Sequence, residues 1–306
     1  MEAIELDLAE RAPPTTERIT TYSALLAAGL QADPLTESVA GYFSHDYRVR
    51  WIPARNLFTQ EEVWIPSSAA YFCEPALCRT STNGLASGND EEEALLFALY
   101  EVIERDAVAR AFANQASPFE SCDAIDLHTL SWRPAADIVS QLEGSTTRLH
   151  LAELHSGLAV PTYWAVLSNS DPLAQVTRFC GGFGTHLDHQ TAILRAIGEA
   201  VQSRLTVIHG SRDDIVEKKA YASELGRDAA TEADALADAF RNLPVVPDPG
   251  ERCYQGTLSE ALRELLTLLQ ASGHRRMYVV SLPNPCPQIA TVKVIAPTLL
   301  WNRALF

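Results

Sequence analysis

The chain has 306 residues, 47% apolar and 21% charged, with a formal net charge of −15. That length supports a substantial core in one large domain or two interlocked halves, and the acidity excludes the basic stripe that a nucleic-acid partner or an anionic membrane surface requires. No run approaches the roughly 20 apolar residues of a membrane span, and the acidic start Met1-Glu2-Ala3-Ile4-Glu5-Leu6-Asp7 lacks the basic-then-apolar order of a signal peptide, so the expected location is cytoplasmic.

In chain order, residues 48–52 and 62–66 read as a hairpin-like pair of strands around a polar turn. Residues 90–114 read as a long helix, 160–167 and 175–181 as strands, 188–209 as a second long helix and 258–272 as a third with an amphipathic Leu pattern. Residues 223–239, acidic and Ala-rich, read as an exposed helix, and 244–250 as a surface loop. Residues 278–282 and 291–295 read as late strands. The sum is an α+β or mixed α/β arrangement without a low-complexity linker. Six scattered cysteines (73, 78, 122, 180, 253 and 286) form no CxxC pair, which argues against a structural zinc site or a disulfide framework.

Three helical segments repeat one signature: Glu2-Ala3-Ile4-Glu5, Glu101-Val102-Ile103-Glu104-Arg105 and Glu199-Ala200-Val201-Gln202-Ser203-Arg204. Oxygen-bearing side chains three residues apart share one helix face. Such a pair suits a hard divalent cation, and magnesium in particular keeps waters and substrate phosphates beside its carboxylates. In the middle helix Glu93, Glu101 and Glu104 fall within an arc of about 80°, surrounded by apolar residues from Ala94 onward. Buried carboxylates need cations or donors facing them. A solvated acidic stripe is the bland alternative. The segment Thr82-Asn83-Gly84-Leu85-Ala86-Ser87-Gly88-Asn89-Asp90 could present N–H groups to a phosphate ahead of the helix. Asp90 with Glu93 also fits a capping box, and the two glycines could simply serve a turn. No Walker A loop or dinucleotide fingerprint occurs there. His186, His189 and His209 show no metal-ligand spacing and read as polar surface or loop residues.

Asn83-Gly84-Leu85-Ala86-Ser87-Gly88-Asn89, running into Glu93 and then Glu101-Val102-Ile103-Glu104-Arg105-Asp106-Ala107, closely resembles the central signature of the YcaO family. Cys180-Gly181-Gly182-Phe183-Gly184-Thr185-His186, the Glu199 to Arg204 block and Gly210-Ser211-Arg212-Asp213-Asp214 resemble its later signature, in family order. The resemblance covers all but about the last fifteen residues. It implies an α+β fold of mixed and antiparallel sheets packed with helices around an ATP cleft, with magnesium bridging carboxylates to phosphates. Carried over, it makes Glu2, Glu5, Glu101 and Glu104 metal ligands. Asn89, Glu93, Glu101, Glu104, Arg105, Gln202 and Arg204 become nucleotide-site residues, with Glu199 supporting them. Ala86 departs from relatives that carry a serine. The opening helix resembles the middle of the family's first conserved helix, so the expectation is a single domain over residues 1–306 lacking the usual N-terminal segment, and weakly active as written.

The resemblance further implies ATP-dependent activation of a peptide backbone amide. A nucleophile adds to the carbonyl, the oxyanion takes the γ-phosphoryl group, and phosphate departs. Phosphorylation is the physical need, since amide oxygen is a poor leaving group, and Arg105 and Arg204 would spread the developing charge. Products are an azoline, a thioamide or an amidine according to the nucleophile. Pro283-Asn284-Pro285-Cys286-Pro287 resembles the proline tail of azoline-forming members but is followed by a strand-like segment, so it reads as a loop. Gln202-Ser203-Arg204-Leu205-Thr206 leans to the thioamide-forming subgroup. The implied partners are a peptide or protein substrate, a TfuA-like protein and a second copy in a homodimer. The competing expectation is a catalytically inactive scaffold of the same family. No acid–base residue is singled out by spacing.

Overall fold

The computed structural model describes residues 2–11, 13, 16–36, 43–74, 76–113, 122–130, 132–142, 145–171, 177–209, 238–248, 250 and 254–301. They divide into two compact units, residues 1–105 with 256–301 and residues 106–255 with 302–306. The first unit opens with α1 (Glu2–Glu10), β1 (Arg18–Thr20), α2 (Tyr22–Ala27), β2 (Val49–Asn56), β3 (Glu62–Pro66), β4 (Leu85–Gly88) and α3 (Glu91–Ala111), which continues into the second. The second unit holds β5 (Cys122–Ile125), α4 (Arg133–Leu142), β6 (Thr147–Leu154), β7 (Thr162–Asn169), β8 (Phe179–Thr185), α5 (His189–His209) and β9 (Val245–Val246). The chain then returns to the first unit as α6 (Leu258–Ala271), β10 (Tyr278–Leu282) and β11 (Ala290–Ile295).

In the first unit the strands pair in the order β1-β2-β10-β11-β4, with β3 on β2, all antiparallel. Ile4, Leu8 and Ala9 of α1 pack on Ile52, Ile65, Leu85 and Val280 of this sheet. A buried knot ties the loop after α2 to β10. Arg276 donates to Asp33 Oδ2 from Nε at 2.9 Å and to Oδ1 from Nη2 at 2.7 Å, and the Tyr278 hydroxyl adds a bond of 2.5 Å. Burial alone would raise the Asp33 carboxyl. The bonds from Arg276, Tyr278 and the Leu35 N–H outweigh it, and the net direction is downward. Helix α6 starts on a reciprocal capping box, with Glu260 accepting from the Thr257 N–H at 2.7 Å, and buries Ala261, Leu265 and Leu269 along one stripe.

The second sheet runs β8-β7-β6-β5-β9, antiparallel except for β5 with β9. Strand β7 is buried on both faces at Thr162 to Leu167, which explains its continuous apolar run. Helix α5 lays His189, Ala192, Ile193, Ala196, Ile197 and Ala200 onto this sheet, spacings of three and four that form one face. Small residues alone allow the close approach. A Cβ on Gly182 would stand 2.2 Å from the Ala200 nitrogen and 2.6 Å from the Ala196 oxygen.

The expected hairpin, three long helices and late strands are present, and the proline run forms the connection between antiparallel β10 and β11. Four expectations are corrected. His189, read as a polar surface or loop residue, is buried on α5 with its Nδ1 2.6 Å from the Tyr163 hydroxyl, because it starts the face that α5 lays on the sheet. The strand read at 175–181 is described from Phe179 and continues to Thr185, and its glycines serve backbone-to-helix contact. The strand read at 48–52 continues to Asn56, held by β3 and β10. The loop read at 244–250 contains β9, since Val245 and Val246 complete the edge of β5, with Ala124 N–H donating to the Pro244 carbonyl at 2.8 Å. Strands β1, β4, β5 and β6 and helices α2 and α4 had no counterpart in the sequence reading. The 210–214 signature, most of the acidic helix at 223–239 and the last five residues lie outside the described residues.

Two glycines on opposite sides of this contact should respond with opposite signs. Gly182→Ala forces backbone atoms apart and is expected to lower stability by about 3 kcal/mol or more. Gly198→Ala, on the open side of α5 with nothing within 4 Å of its Cβ, should raise stability by about 0.5–1 kcal/mol. Denaturant melts of both variants check the pair.

Candidate functional site

The site is centred on the third turn of the signature helix, α3. Glu101 is half-buried on α3 and its Oε2 accepts the Gly84 N–H at 3.2 Å, while its Oε1 lies 3.6 Å from the Arg105 guanidinium. Gly84 can occupy this turn only as glycine: its φ is +77°, and a Cβ would stand 2.4 Å from the Val294 carbonyl oxygen. Val294 in turn donates its N–H to the Gly84 carbonyl at 2.7 Å, so the turn is stitched to β11.

The electrostatics are those of a carboxylate under pressure. Burial raises the Glu101 pKa, the nearby Glu5 charge adds to it, and Arg105, Lys293 and the Gly84 N–H only partly oppose the rise. Glu104, one turn along, is buried at 7% exposure. Among the influences on Glu101, the Glu5 charge is the smallest, acting from α1 across nearly a hundred residues of sequence. Glu2 lies in α1, but its side chain is outside the described residues.

Asn89 and Glu93 form a local pair. Glu93 Oε2 accepts from the Asn89 N–H at 2.7 Å and from its side-chain amide at 2.8 Å, and the Glu93 N–H donates to Asp90 Oδ1 at 2.8 Å. This is a capping arrangement at the start of α3, so one Glu93 oxygen is committed to the backbone and the other is left for a ligand. Glu199, Gln202 and Arg204 lie in the second unit. Glu199 Oε2 accepts the Phe183 N–H at 2.9 Å, which binds α5 to β8, and Arg204 donates to the Thr177 carbonyl at 3.1 Å. Gln202 is exposed on α5.

A residue the sequence reading passed over is Lys293 of β11. Its ammonium is buried at 3% exposure and donates to the carbonyls of Ser81 and, at 2.7 Å, Asn83. Desolvation pushes its pKa down to about 8, against the pull of Glu101. The signal was a lone charge inside Thr291-Val292-Lys293-Val294-Ile295, a strand whose other positions are apolar or small.

These residues fit a divalent cation with phosphate oxygens. Among the described residues no group of three or more His, Cys, Asp or Glu side chains is gathered tightly enough to hold a metal alone, so oxygens from water and phosphate must complete any shell, as magnesium prefers. Asn83 Oδ1 is buried with no protein partner among the described residues, an acceptor that a bound donor or cation would satisfy.

Comparison with known proteins follows the same line. A family profile described as a YcaO cyclodehydratase that binds ATP and Mg2+ matches residues 1–300. An uncharacterized protein in the tfuA 3' region of Rhizobium leguminosarum bv. trifolii is 30% identical over 98% of this chain and 72% of its own length. YcaO from Methanopyrus kandleri, bound with AMPPCP and Mg2+, superposes at TM-score 0.72 and 21% identity over 98% of this chain and 74% of that one. A heterocyclase in complex with substrate and cofactor gives TM-score 0.74 at 20% identity over 98% of this chain. The chain spans 42% of that heterocyclase's length. At such identities the two structures establish the shared fold.

The raised Glu101 pKa fixes the sign of one experiment. A carboxyl whose folded pKa lies above its unfolded value contributes stability below the unfolded pKa, and loses it as pH rises through the folded one. Ionised Glu101 therefore destabilises the ligand-free fold at neutral pH. Glu101→Gln is expected to melt no lower than the wild type at pH 7, and to lose the stabilisation that ATP with Mg2+ confers, read by melting with and without nucleotide.

Proposed function

The chain belongs to the YcaO family, and from that premise we propose that it uses ATP and Mg2+ to activate a peptide backbone amide. The observation that carries the reading is the half-buried Glu101, fixed by the Gly84 N–H and raised in pKa by burial, with the buried Glu104 one turn along, within a chain that the family profile matches over residues 1–300. In ligand-free protein such a carboxylate pair is destabilising, and a bound cation reverses that cost.

Glu5, Glu101 and Glu104 would hold the metal, with Glu2 as the fourth candidate. Asn89, Glu93 and Arg105 would contact the nucleotide. Glu199, Gln202 and Arg204, which the family resemblance marks as nucleotide-site candidates, belong to the second unit and are probed by their own variants. Bound Mg2+ would neutralise phosphate charge as it develops. The chain's own part is to orient the peptide and to exclude water. A nucleophile adds to the amide carbon, the carbonyl electron pair moves to oxygen, and that oxygen attacks the γ-phosphorus with departure of ADP. Phosphate then leaves with the former amide oxygen. Positioning and charge stabilisation suffice for this sequence, and no covalent protein nucleophile enters. Cys78 and Cys122, whose thiols burial holds up near about 12, are accordingly inert.

The finer proposal is thioamidation with a sulfide source and a TfuA-like partner. Its support is the relative in a tfuA 3' region and the Gln202 to Thr206 phrase. The likeness to a heterocyclase supports azoline formation instead. The product's mass separates them, since a thioamide exchanges oxygen for sulfur and an azoline loses water.

Glu104→Ala is expected to reduce ATP turnover by roughly a hundredfold, about 3 kcal/mol of charge stabilisation, while the chain still melts cooperatively. Phosphate release assayed with candidate peptides and partner supplied checks it. Turnover at background level in the wild type under all those conditions would point to the inactive scaffold.

A further inference from the structure

The turn that presents Gly84 to Glu101 is fastened from behind. Lys293 stands opposite Leu85 of β4 and Val280 of β10 in the first sheet. Its neighbours Val292 and Val294 are buried at 0% and 1% exposure. A valine would fill such a position at no electrostatic cost, whereas a buried ammonium is expensive unless its protons are all used. Two of those protons go to backbone carbonyls of one turn, Ser81 and Asn83. The next residue along β11, Val294, takes the Gly84 carbonyl at 2.7 Å. Three carbonyls of the turn, those of Ser81, Asn83 and Gly84, are thus tied to two successive residues of one strand. Within the turn the Thr82 carbonyl accepts the Leu85 N–H at 2.8 Å, and the Gly84 N–H donates to Glu101 Oε2 at 3.2 Å.

We propose that Lys293 is a positioning residue of the nucleotide site, its ammonium locking residues 81–84 in the one conformation that aims the Gly84 N–H at Glu101. The inference rests on Glu101 belonging to an ATP and Mg2+ site. It adds a residue that carries none of the family's carboxylate signatures. Lys293 acts through the backbone, so the prediction is local: without the ammonium, the turn relaxes and Glu101 loses its fixed orientation. A loosely held first ligand weakens both metal and phosphate binding. Gly84 offers no alternative support, because its positive φ is strained for any side chain and its space is filled by Val294.

The test uses the full chain and two readouts. Hydrogen exchange of the peptide containing Gly84 is measured without ligand, in the wild type, Lys293→Met and the milder Lys293→Gln. Calorimetric binding of AMPPCP with Mg2+ is measured on the same three proteins. Exchange at Gly84 is expected to be at least tenfold faster in Lys293→Met, with α6 and the second sheet unchanged, and binding at least tenfold weaker. Lys293→Gln, which keeps a donor, should fall between and serves where the Met variant does not fold. Unchanged Gly84 exchange in a folded variant overturns the clamp, and so does full affinity despite faster exchange. A wild-type chain that binds no AMPPCP while its Gly84 exchange still depends on Lys293 overturns the assignment of the site and leaves the clamp standing.

Discussion

The bond from the Gly84 N–H to Glu101 Oε2, in surroundings that burial makes unfavourable to the carboxylate's charge, is the interaction that fastens α3 to the turn before β4 in the first unit. Two cations, Arg105 and Lys293, and one backbone donor, Gly84, offset part of the cost. Each comes from a different element: α3 itself, β11 and the turn before β4. The sheet order β10-β11-β4 is what sets those elements side by side. Had β4 paired elsewhere, the Gly84 N–H would not meet α3, and the helix would carry an unsupported carboxylate. The incomplete compensation matters for function. A fully compensated Glu101 would gain less from a cation, and an uncompensated one would take up a proton instead of staying charged.

The second unit rests on a different constraint, the distance between one helix and one strand. Ala192, Ala196 and Ala200 of α5 meet Gly182 and Gly184 of β8 closely enough that no Cβ fits on either glycine. That proximity allows Glu199, in the next position, to cap the Phe183 N–H. The block from Glu199 to Arg204 therefore mixes packing with polar roles. Glu199 and Arg204 both satisfy backbone groups of their own unit, and Gln202 is exposed beside Val201. Residues that look equivalent as i, i+3 pairs in the two signatures thus do different physical work. Glu101 is held by a turn and stays electrostatically uncomfortable, whereas Glu199 is spent on a strand.

Much of the scaffold was legible before any coordinates. Helices α3, α5 and α6 announce themselves because apolar residues recur at spacings of three and four over many turns, and a long period is hard to mistake. The hairpin of β2 and β3 is legible for the same reason with period two. Short elements were not. Strand β4 is four residues, Leu-Ala-Ser-Gly, whose composition reads as a loop, and it becomes a strand only because β11 offers it an edge. Strand β9 is two valines completed by β5. The role of the β8 glycines as spacers appears only once α5 lies on the strand.

The division between sequence and tertiary structure follows from range. The sequence by itself determined the paired carboxylates, their shared helix faces, the capping pair of Asp90 and Glu93, and through three ordered blocks the family. All of these are encoded within a few residues or by direct resemblance. Only the tertiary structure decided that Glu5 reaches the field of Glu101, that Gly84 supplies its donor, and that Lys293, more than two hundred residues beyond the turn it clamps, belongs to the same arrangement. Those relations depend on strand order and register, which pairing energies summed over the whole sheet select. No local window of the chain contains that sum, so a lysine between two valines shows its purpose only once β11 lies against β4.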